Sequence, residues 1–164
     1  MMASWTERPT EIANLLNPAF CALLLGQAVR GYQEEASAGL PYPLAFLILP
    51  LVLHKPTREA LPNSIASRMH PWLESHQQAQ VGFADRCIAV AEHTKEAIIY
   101  SAARRVLSIH TDARLEITKQ RVRRPTWPTD SEPLACYEAA RFVGRWLAHA
   151  GRAATIFAMW GIRP

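Results

Sequence analysis

Residues 94–118, TKEAIIYSAARRVLSIHTDARLEIT, contain the change of hydrophobic period that decides the fold. In the first half the apolar residues recur at helical spacing, and Thr94 is placed to cap a helix that runs to Arg105. From Leu107 onward apolar and polar residues alternate on both sides of a turn at 111–113. This period of two predicts a β-hairpin that follows the helix directly.

The element order around this hairpin is that of a winged helix-turn-helix. Two shorter helices precede a third helix at 94–105, and the hairpin at 106–122 takes the position of the wing. In the DNA-binding use of such a fold, the third helix enters the major groove and wing cations contact phosphates. Ile98, Ile99 and Ala102 leave few polar side chains on this helix to read bases. Protein docking and non-specific contact with the DNA backbone are therefore favoured over sequence-specific reading.

The rest of the chain is predicted to be mainly helical. Asn17 and Pro18 are suited to the cap and first turn of one helix. The uncharged run 44–53 is apolar on every side, as in a helix surrounded by protein, and Pro50 should kink it or remove a hydrogen bond. The other predicted boundaries are a first helix ending near Gly31, loops at 33–39 and 54–62, helices beginning at 63, 83 and 130, and a C-terminal strand at 155–160.

Length and composition limit the domain organisation. The chain has 164 residues, of which 49% are hydrophobic, and this suffices for one core but not for two independent domains. We therefore expect a single domain, 1–164, of the mainly α (α+β) class. Its parts are a helical region at 10–105, a wing hairpin with a basic arm at 106–128, and a C-terminal helix and strand at 130–164.

Positive charge is concentrated in one segment of the chain. There are 18 Lys and Arg against 14 Asp and Glu, a formal net charge of +4. Residues 104–124 contain seven basic residues and only two acidic ones, Asp112 and Glu116. Such a segment suits either the phosphates of DNA or an acidic protein surface. The candidate nucleic-acid contacts are Arg104, Arg105, Arg114, Lys119, Arg121, Arg123 and Arg124.

Residue patterns for catalysis, cofactors or metals are missing from the sequence. It has no nucleophile elbow, no glycine-rich phosphate loop and no recognisable pair of catalytic carboxylates. His70 and Glu74 have the spacing of metal ligands, but Pro71 and Trp72 between them argue against a site. The three cysteines have neither metal nor disulfide spacing. We therefore expect no catalytic residue, no cofactor and no metal, and an enzyme of unknown type is the least favoured class.

The two uncharged stretches are not membrane spans by sequence criteria. The stretch 12–29 contains several amides and a proline, and the stretch 40–53 is short and contains three prolines. No signal peptide opens the sequence. These features predict a cytoplasmic protein without membrane association.

A docking surface is expected where the loop 54–62 follows the apolar helix. Pro56 and Pro62 stiffen this loop, and a stiff loop loses little entropy when it binds a partner. We expect the region 40–62 and the C-terminal elements to contact partner proteins. The candidate partner-binding residues are Pro41, Pro43, Phe46, His54, Lys55, Arg58, Trp160 and Arg163.

Several strings of the sequence are distinctive rather than generic. They are WTERP (5–9), ANLLNPAF (13–20), GLPYPLAFLILPLVLHK (39–55), TREALP (57–62) and WGIRP (160–164). Together they resemble the middle component of bacterial three-component ABC-ATPase systems of the SMC-like, Lamassu type. The similarity spans most of the chain, and the hairpin with its basic arm is the least distinctive part.

This resemblance implies a small accessory subunit. Such subunits accompany an SMC-like ABC ATPase and an effector, often a nuclease, in prokaryotic systems that restrict phage or plasmids. The middle component would bridge the two and hold the effector inactive until foreign DNA is sensed. The resemblance carries over no catalytic residue, and so it predicts a non-catalytic adaptor. The alternative is a stand-alone winged-helix DNA-binding regulator.

Overall fold

The computed structural model describes residues 16–119 and 122–163. In these residues the protein is mainly α-helical with a small antiparallel sheet, which confirms the predicted class. The helices are α1 (Pro18–Ala36), α2 (Ala45–Leu53), α3 (Lys55–Ala60), α4 (Met69–Ser75), α5 (Phe83–Ala103), α6 (Glu132–Ala148) and α7 (Ala153–Met159). The strands are β1 (Leu40–Pro41), β2 (Leu107–Ile109) and β3 (Arg114–Ile117).

Helix α1 begins as predicted but ends later. The Asn17 side chain accepts a hydrogen bond from the Ala19 amide at 2.8 Å, and Pro18 occupies the first turn. Gly31 does not stop the helix, which continues to Ala36 and ends at Ser37 in the left-handed conformation. The prediction of an end at Gly31 is wrong because this glycine serves packing: a Cβ there would lie 2.3 Å from the Arg141 carbonyl oxygen.

Helices α1 and α6 pack against each other at very short range. A Cβ on Gly144 of α6 would lie 1.9 Å from the carbonyl oxygen of Ala28 in α1. Gly31 provides the matching gap on α1. Around this contact Val143, Trp146 and Leu147 of α6 are buried. The missing side chains thus allow the two backbones to touch and form the centre of the core.

Helix α2 is the apolar helix that the sequence predicts. Seven of its nine residues are buried, and Pro50 lies inside the helix. The polar loop predicted at 54–62 is instead helix α3 over Lys55–Ala60. Pro56 does not prevent this helix because it lies in the first turn, where its missing N–H has no intrahelical acceptor.

Helix α4 starts later than the expected start at residue 63, and Pro71 falls in its first turn without interrupting it. The two helices expected within 83–106 are one continuous helix, α5, of 21 residues. Thr94 does not cap a second helix: it is buried, and its hydroxyl donates to the Val90 carbonyl within α5.

The predicted hairpin is confirmed and gains a third strand. Strands β2 and β3 pair antiparallel, with Leu107 opposite Ile117 and Ile109 opposite Leu115. Strand β1 pairs with the other side of β3, so the strand order is β1-β3-β2. Residues 40–41, shortly before α2, are therefore part of the sheet.

The C-terminal strand predicted at 155–160 is wrong, because this segment forms helix α7. Its buried residues are Ile156, Phe157 and Trp160, at the spacing of one helical face rather than of alternate strand positions. The Trp160 ring packs 4.5 Å from the Phe83 ring and 6.3 Å from the Trp72 ring, centroid to centroid. This aromatic contact joins α7 to α4 and α5. Within the described ranges, no helix is long and apolar enough to cross a membrane.

Candidate functional site

A groove of about 670 Å³ lies between α1, the end of α5, the hairpin, the arm after it and α6. This volume is in the usual range for ligand sites in proteins. We call it the arginine groove because five of its lining side chains are arginines: Arg30, Arg104, Arg124, Arg141 and Arg145.

The floor of the arginine groove is apolar. Ala19, Ala22, Leu23 and Gly26 line it at the spacing of one face of α1. Gly26 has no side chain, so the groove is open at this position: a Cβ there would meet only Ile117 of β3, at 4.0 Å. Small residues on α1 thus leave open a space that larger side chains would fill.

Two of the five arginines have carboxylate partners on α1. Arg141 forms an ion pair with Glu34, and Arg145 Nε donates to Glu35 at 2.7 Å. Glu35 also accepts a hydrogen bond from His149 Nε2 at 2.9 Å. These hydrogen bonds lower the pKa of Glu35 below its ordinary value, and the bond from His149 has a larger effect than the bond from Arg145. Both arginines therefore connect α6 to the last turn of α1.

The other three arginines of the groove form no ion pair with any residue that the structure describes. Arg30, Arg104 and Arg124 are exposed. The Arg104 guanidinium lies over the Tyr100 ring, 3.4 Å from its centroid, a stacked arrangement that leaves the guanidinium edge available for a carboxylate or a phosphate. Glu138 is the one carboxylate among the lining residues. The rim is therefore basic overall.

Aromatic contacts hold the arm against the groove. Tyr137 of α6 lines the groove, and its ring lies 5.4 Å from that of Trp127. Trp127 in turn meets the Phe20 ring of α1 edge-on at 6.1 Å. By anchoring Trp127 to two helices, these contacts position the preceding residues of the arm, including Arg124, at the rim.

The structure separates the basic residues that the sequence groups together. Arg104 and Arg124 line the groove, whereas Arg105, Lys119 and Arg123 are exposed outside its lining. Arg114 has a structural contact, since its Nη1 donates to the Gly39 carbonyl at 2.8 Å. Arg121 lies outside the described residues. The charge therefore divides between the groove and the outer surface of the hairpin and arm.

Three groove arginines were missed by the sequence analysis. Arg141 and Arg145 share a helical face that is visible in the sequence, but their partners on α1 are not. Nothing in the sequence pattern marked Arg30 as a binding residue, because the first helix was expected to end beside it. Only the packing of α1 on α6 brings these side chains to Arg104 and Arg124.

Arg58 and Trp160, two of the predicted partner-binding residues, are buried in the structure. The Arg58 side chain is 6% exposed, pairs with Glu132 at 3.2 Å and donates to the Val52 carbonyl at 2.8 Å. Trp160 Nε1 donates to Met69 Sδ at 3.3 Å. The interior contacts of these two side chains are structural.

The remaining predicted partner-binding residues lie at or near the surface. Pro43, Lys55 and Arg163 are exposed, and Pro41, Phe46 and His54 are half-buried. His54 Nδ1 hydrogen-bonds Thr57 Oγ1 at 2.8 Å, and partial burial lowers the pKa of its imidazole. Partner contact stays a prediction for all eight residues.

Two exposed isoleucines lie on the outside of α5. Ile88 and Ile99 are 75% and 69% exposed. They lie on the same face, and the ion pair between Glu92 and Lys95, 2.8 Å long, lies between them. We call these four residues the α5 stripe. Lys95 and Ile99 belong to the predicted helix 94–105, whereas Ile88 and Glu92 precede it.

The described residues contain no cluster of three or more His, Cys, Asp or Glu side chains that could hold a metal ion. Cys21, Cys87 and Cys136 are free thiols, and burial raises the pKa of Cys21 to about 12 and that of Cys87 to about 11. Such thiols are poor nucleophiles because the thiolate is the reactive form.

Comparison with known proteins identifies one family. Neither the search of curated proteins nor the search of solved structures gave a significant match. The model of the ABC-three component (ABC-3C) system Middle Component 3 family matches residues 5–164. This range includes the helices, the sheet and the arginine groove. The chain therefore belongs to the Middle Component 3 family of ABC-three component systems.

Proposed function

We propose that this chain is a non-catalytic adaptor that links an SMC-like ABC ATPase to an effector subunit in a cytoplasmic prokaryotic defence complex against phage or plasmids. Its membership of a family of middle components is the observation that carries this proposal, since a middle component works with the other two components of its system. The effector, a nuclease in many related systems, would be held inactive until foreign DNA is sensed.

Three surfaces support a role in protein contacts. The α5 stripe exposes two large aliphatic side chains, Ile88 and Ile99, around a local ion pair. Exposed apolar residues rimmed by charge are typical of interaction sites. The exposed residues of the 40–62 region and Arg163 provide a second candidate contact, and the basic hairpin and arm a third.

Co-purification tests the proposal directly. A tagged chain is co-expressed with the ATPase and the effector encoded beside it, and we expect all three to elute together. Without the chain, the ATPase and the effector should no longer co-elute. The double variant Ile88→Glu/Ile99→Glu should lower recovery of one partner at least tenfold, because a carboxylate is costly to desolvate in an interface. Val81→Glu, which makes the same change at an exposed aliphatic residue outside all the candidate surfaces, is the control.

Two results would contradict the adaptor function. One is a monodisperse monomer that binds neither neighbouring protein. The other is an ATPase and effector that associate equally well without the chain.

A second candidate function is DNA binding by a winged-helix-like module. It is favoured by a hairpin that directly follows α5, by the strand order β1-β3-β2, and by exposed cations on and after the hairpin. This function predicts an affinity for duplex DNA that falls steeply with salt. The triple variant Arg121→Glu/Arg123→Glu/Arg124→Glu should abolish it in fluorescence anisotropy without any partner present. Binding that is absent at low salt, or unaffected by the three changes, would exclude this candidate.

A further inference from the structure

We infer that the arginine groove binds a short acidic segment of a partner protein, with apolar side chains of that segment on the groove floor. The inference rests on the proposed adaptor function for the identity of the partners, the ATPase and the effector. It goes further by naming the site on this chain and the chemistry of the segment that occupies it.

The floor indicates that the occupant has an apolar side. Ala19, Ala22 and Gly26 present little side-chain volume along one face of α1, and Leu23 adds an aliphatic surface beside them. Val106 and Ile117 continue the apolar lining from the hairpin. A ligand that removes this surface from water gains about 25 cal/mol per Å² of apolar area buried. A peptide segment can supply apolar side chains that fit this floor.

The rim indicates that the occupant also carries negative charge. Arg30, Arg104 and Arg124 have no carboxylate partner among the described residues, and they extend from α1, α5 and the arm. A guanidinium binds a carboxylate in a two-pronged hydrogen-bonded pair. Because Arg104 is already stacked on Tyr100, less conformational entropy is lost when it forms that pair.

Acidic groups in and beside the groove favour a peptide over a nucleic acid strand. Glu138 lines the groove, and Glu34 and Glu35 stand against Arg141 and Arg145. A nucleic acid strand carries a phosphate at every nucleotide, so some of its negative charge would lie near these carboxylates. A peptide can place its acidic residues opposite Arg30, Arg104 and Arg124 only. A concave site of about 670 Å³ also takes a few side chains rather than a duplex.

A peptide array tests the inference even if the chain, the ATPase and the effector do not form a stable complex. Overlapping 20-residue peptides that cover the ATPase and the effector are probed with the full-length chain. We expect the retained peptides to be acidic and to contain apolar residues at helical or alternate spacing. Their dissociation constants are then measured by fluorescence anisotropy, with fifteen-residue oligo-dT as a competitor.

Charge reversal at the rim has a matched control on the same arm. Arg124→Glu and Arg104→Glu should each weaken the best peptide about tenfold or more, because each replaces an attraction by a repulsion. Arg123→Glu makes the same change of charge beside Arg124 but outside the groove lining, and should change the affinity less than about twofold. Gly26→Met, which fills the floor, should weaken binding without changing any charge.

Four results would overturn the inference: no peptide retained, retained peptides that are neutral or basic, peptide affinity that is the same in Arg123→Glu and Arg124→Glu, or oligo-dT that binds more tightly and displaces the peptide. The last result would assign the groove to single-stranded nucleic acid. Co-elution of the three proteins with no peptide retained by the groove would leave the adaptor function standing and remove this site. An acidic peptide bound at the groove without co-elution would do the reverse.

Discussion

Gly144 lies where the backbone of α6 touches that of α1. We expect Gly144→Ala to lower the free energy of unfolding by at least about 2 kcal/mol, because its Cβ would collide with the Ala28 carbonyl and force the two helices apart. Urea denaturation followed by circular dichroism measures the change. Gly26→Ala is the control, since its Cβ would be in ordinary contact with Ile117 and should gain about 0.5–1 kcal/mol from helix propensity. Equal effects of the two variants would show that the close contact is unimportant.

The Arg58 guanidinium has two partners: the buried carbonyl of Val52 and the half-exposed carboxylate of Glu132. We expect Arg58→Ala to cost about 2–3 kcal/mol of unfolding free energy, because it removes the charged donor to the buried Val52 carbonyl. Glu132→Gln should cost less than about 1 kcal/mol, since the Glu132 side chain is 58% exposed. Both changes can be measured by urea denaturation.

If Arg58 contacted a partner instead, Arg58→Ala would leave the isolated chain as stable as the wild type and weaken only the complex. The two outcomes therefore separate the role that the sequence predicts for Arg58 from the one that the structure assigns.

At the scale of elements, charged groups join the end of α1 to α6, and this connection should depend on pH. Hydrogen bonds from His149 and Arg145 lower the pKa of Glu35 in the folded protein, so below the ordinary value of a glutamate, about 4.3, the unfolded chain binds more protons. The stabilisation by Glu35 is complete above that value and is lost as the pH falls through the lowered pKa.

We therefore expect the urea midpoint of the wild type to fall between pH 5 and pH 3 more steeply than that of Glu35→Gln. Glu138→Gln removes a carboxylate of α6 that has no ion pair among the described residues, and serves as the control. A Glu35→Gln profile parallel to the wild-type profile would contradict the coupling.

Elements differ in how far the sequence predicts them. The β2–β3 hairpin follows from its alternating period, and the start of α1 from Asn17 and Pro18, because both signals act within a few residues. Helix α7 was predicted as a strand because its run of apolar and β-branched residues is too short to show a period by itself. Burial of Phe157 and Trp160 against α4 and α5 selects the helix.

At the scale of the whole molecule, we propose that residues 1–164 unfold as one domain. The buried hydrophobic residues of the described part, from Cys21 in α1 to Trp160 after α7, form one continuous cluster. Far-ultraviolet circular dichroism and tryptophan fluorescence should therefore give the same urea midpoint. Trp160→Ala should lower both midpoints by the same amount, because it lowers the free energy of unfolding by about 3–5 kcal/mol. Two separate transitions, or a shift in only one probe, would indicate independent units.

The sequence by itself determined the features that depend on neighbouring residues: the helical and alternating periods, the cap at Asn17, the concentration of cations at 104–124, and the strings that resemble the family. Only the tertiary structure decided which distant residues meet. Arg30 and Arg124 share one groove because Gly31 and Gly144 let α1 and α6 touch and because Trp127 anchors the arm. Local periodicity specifies which face of a helix is apolar. The space left between packed helices depends on side-chain volumes from several elements at once, and this is why the arginine groove could not be predicted from any one segment.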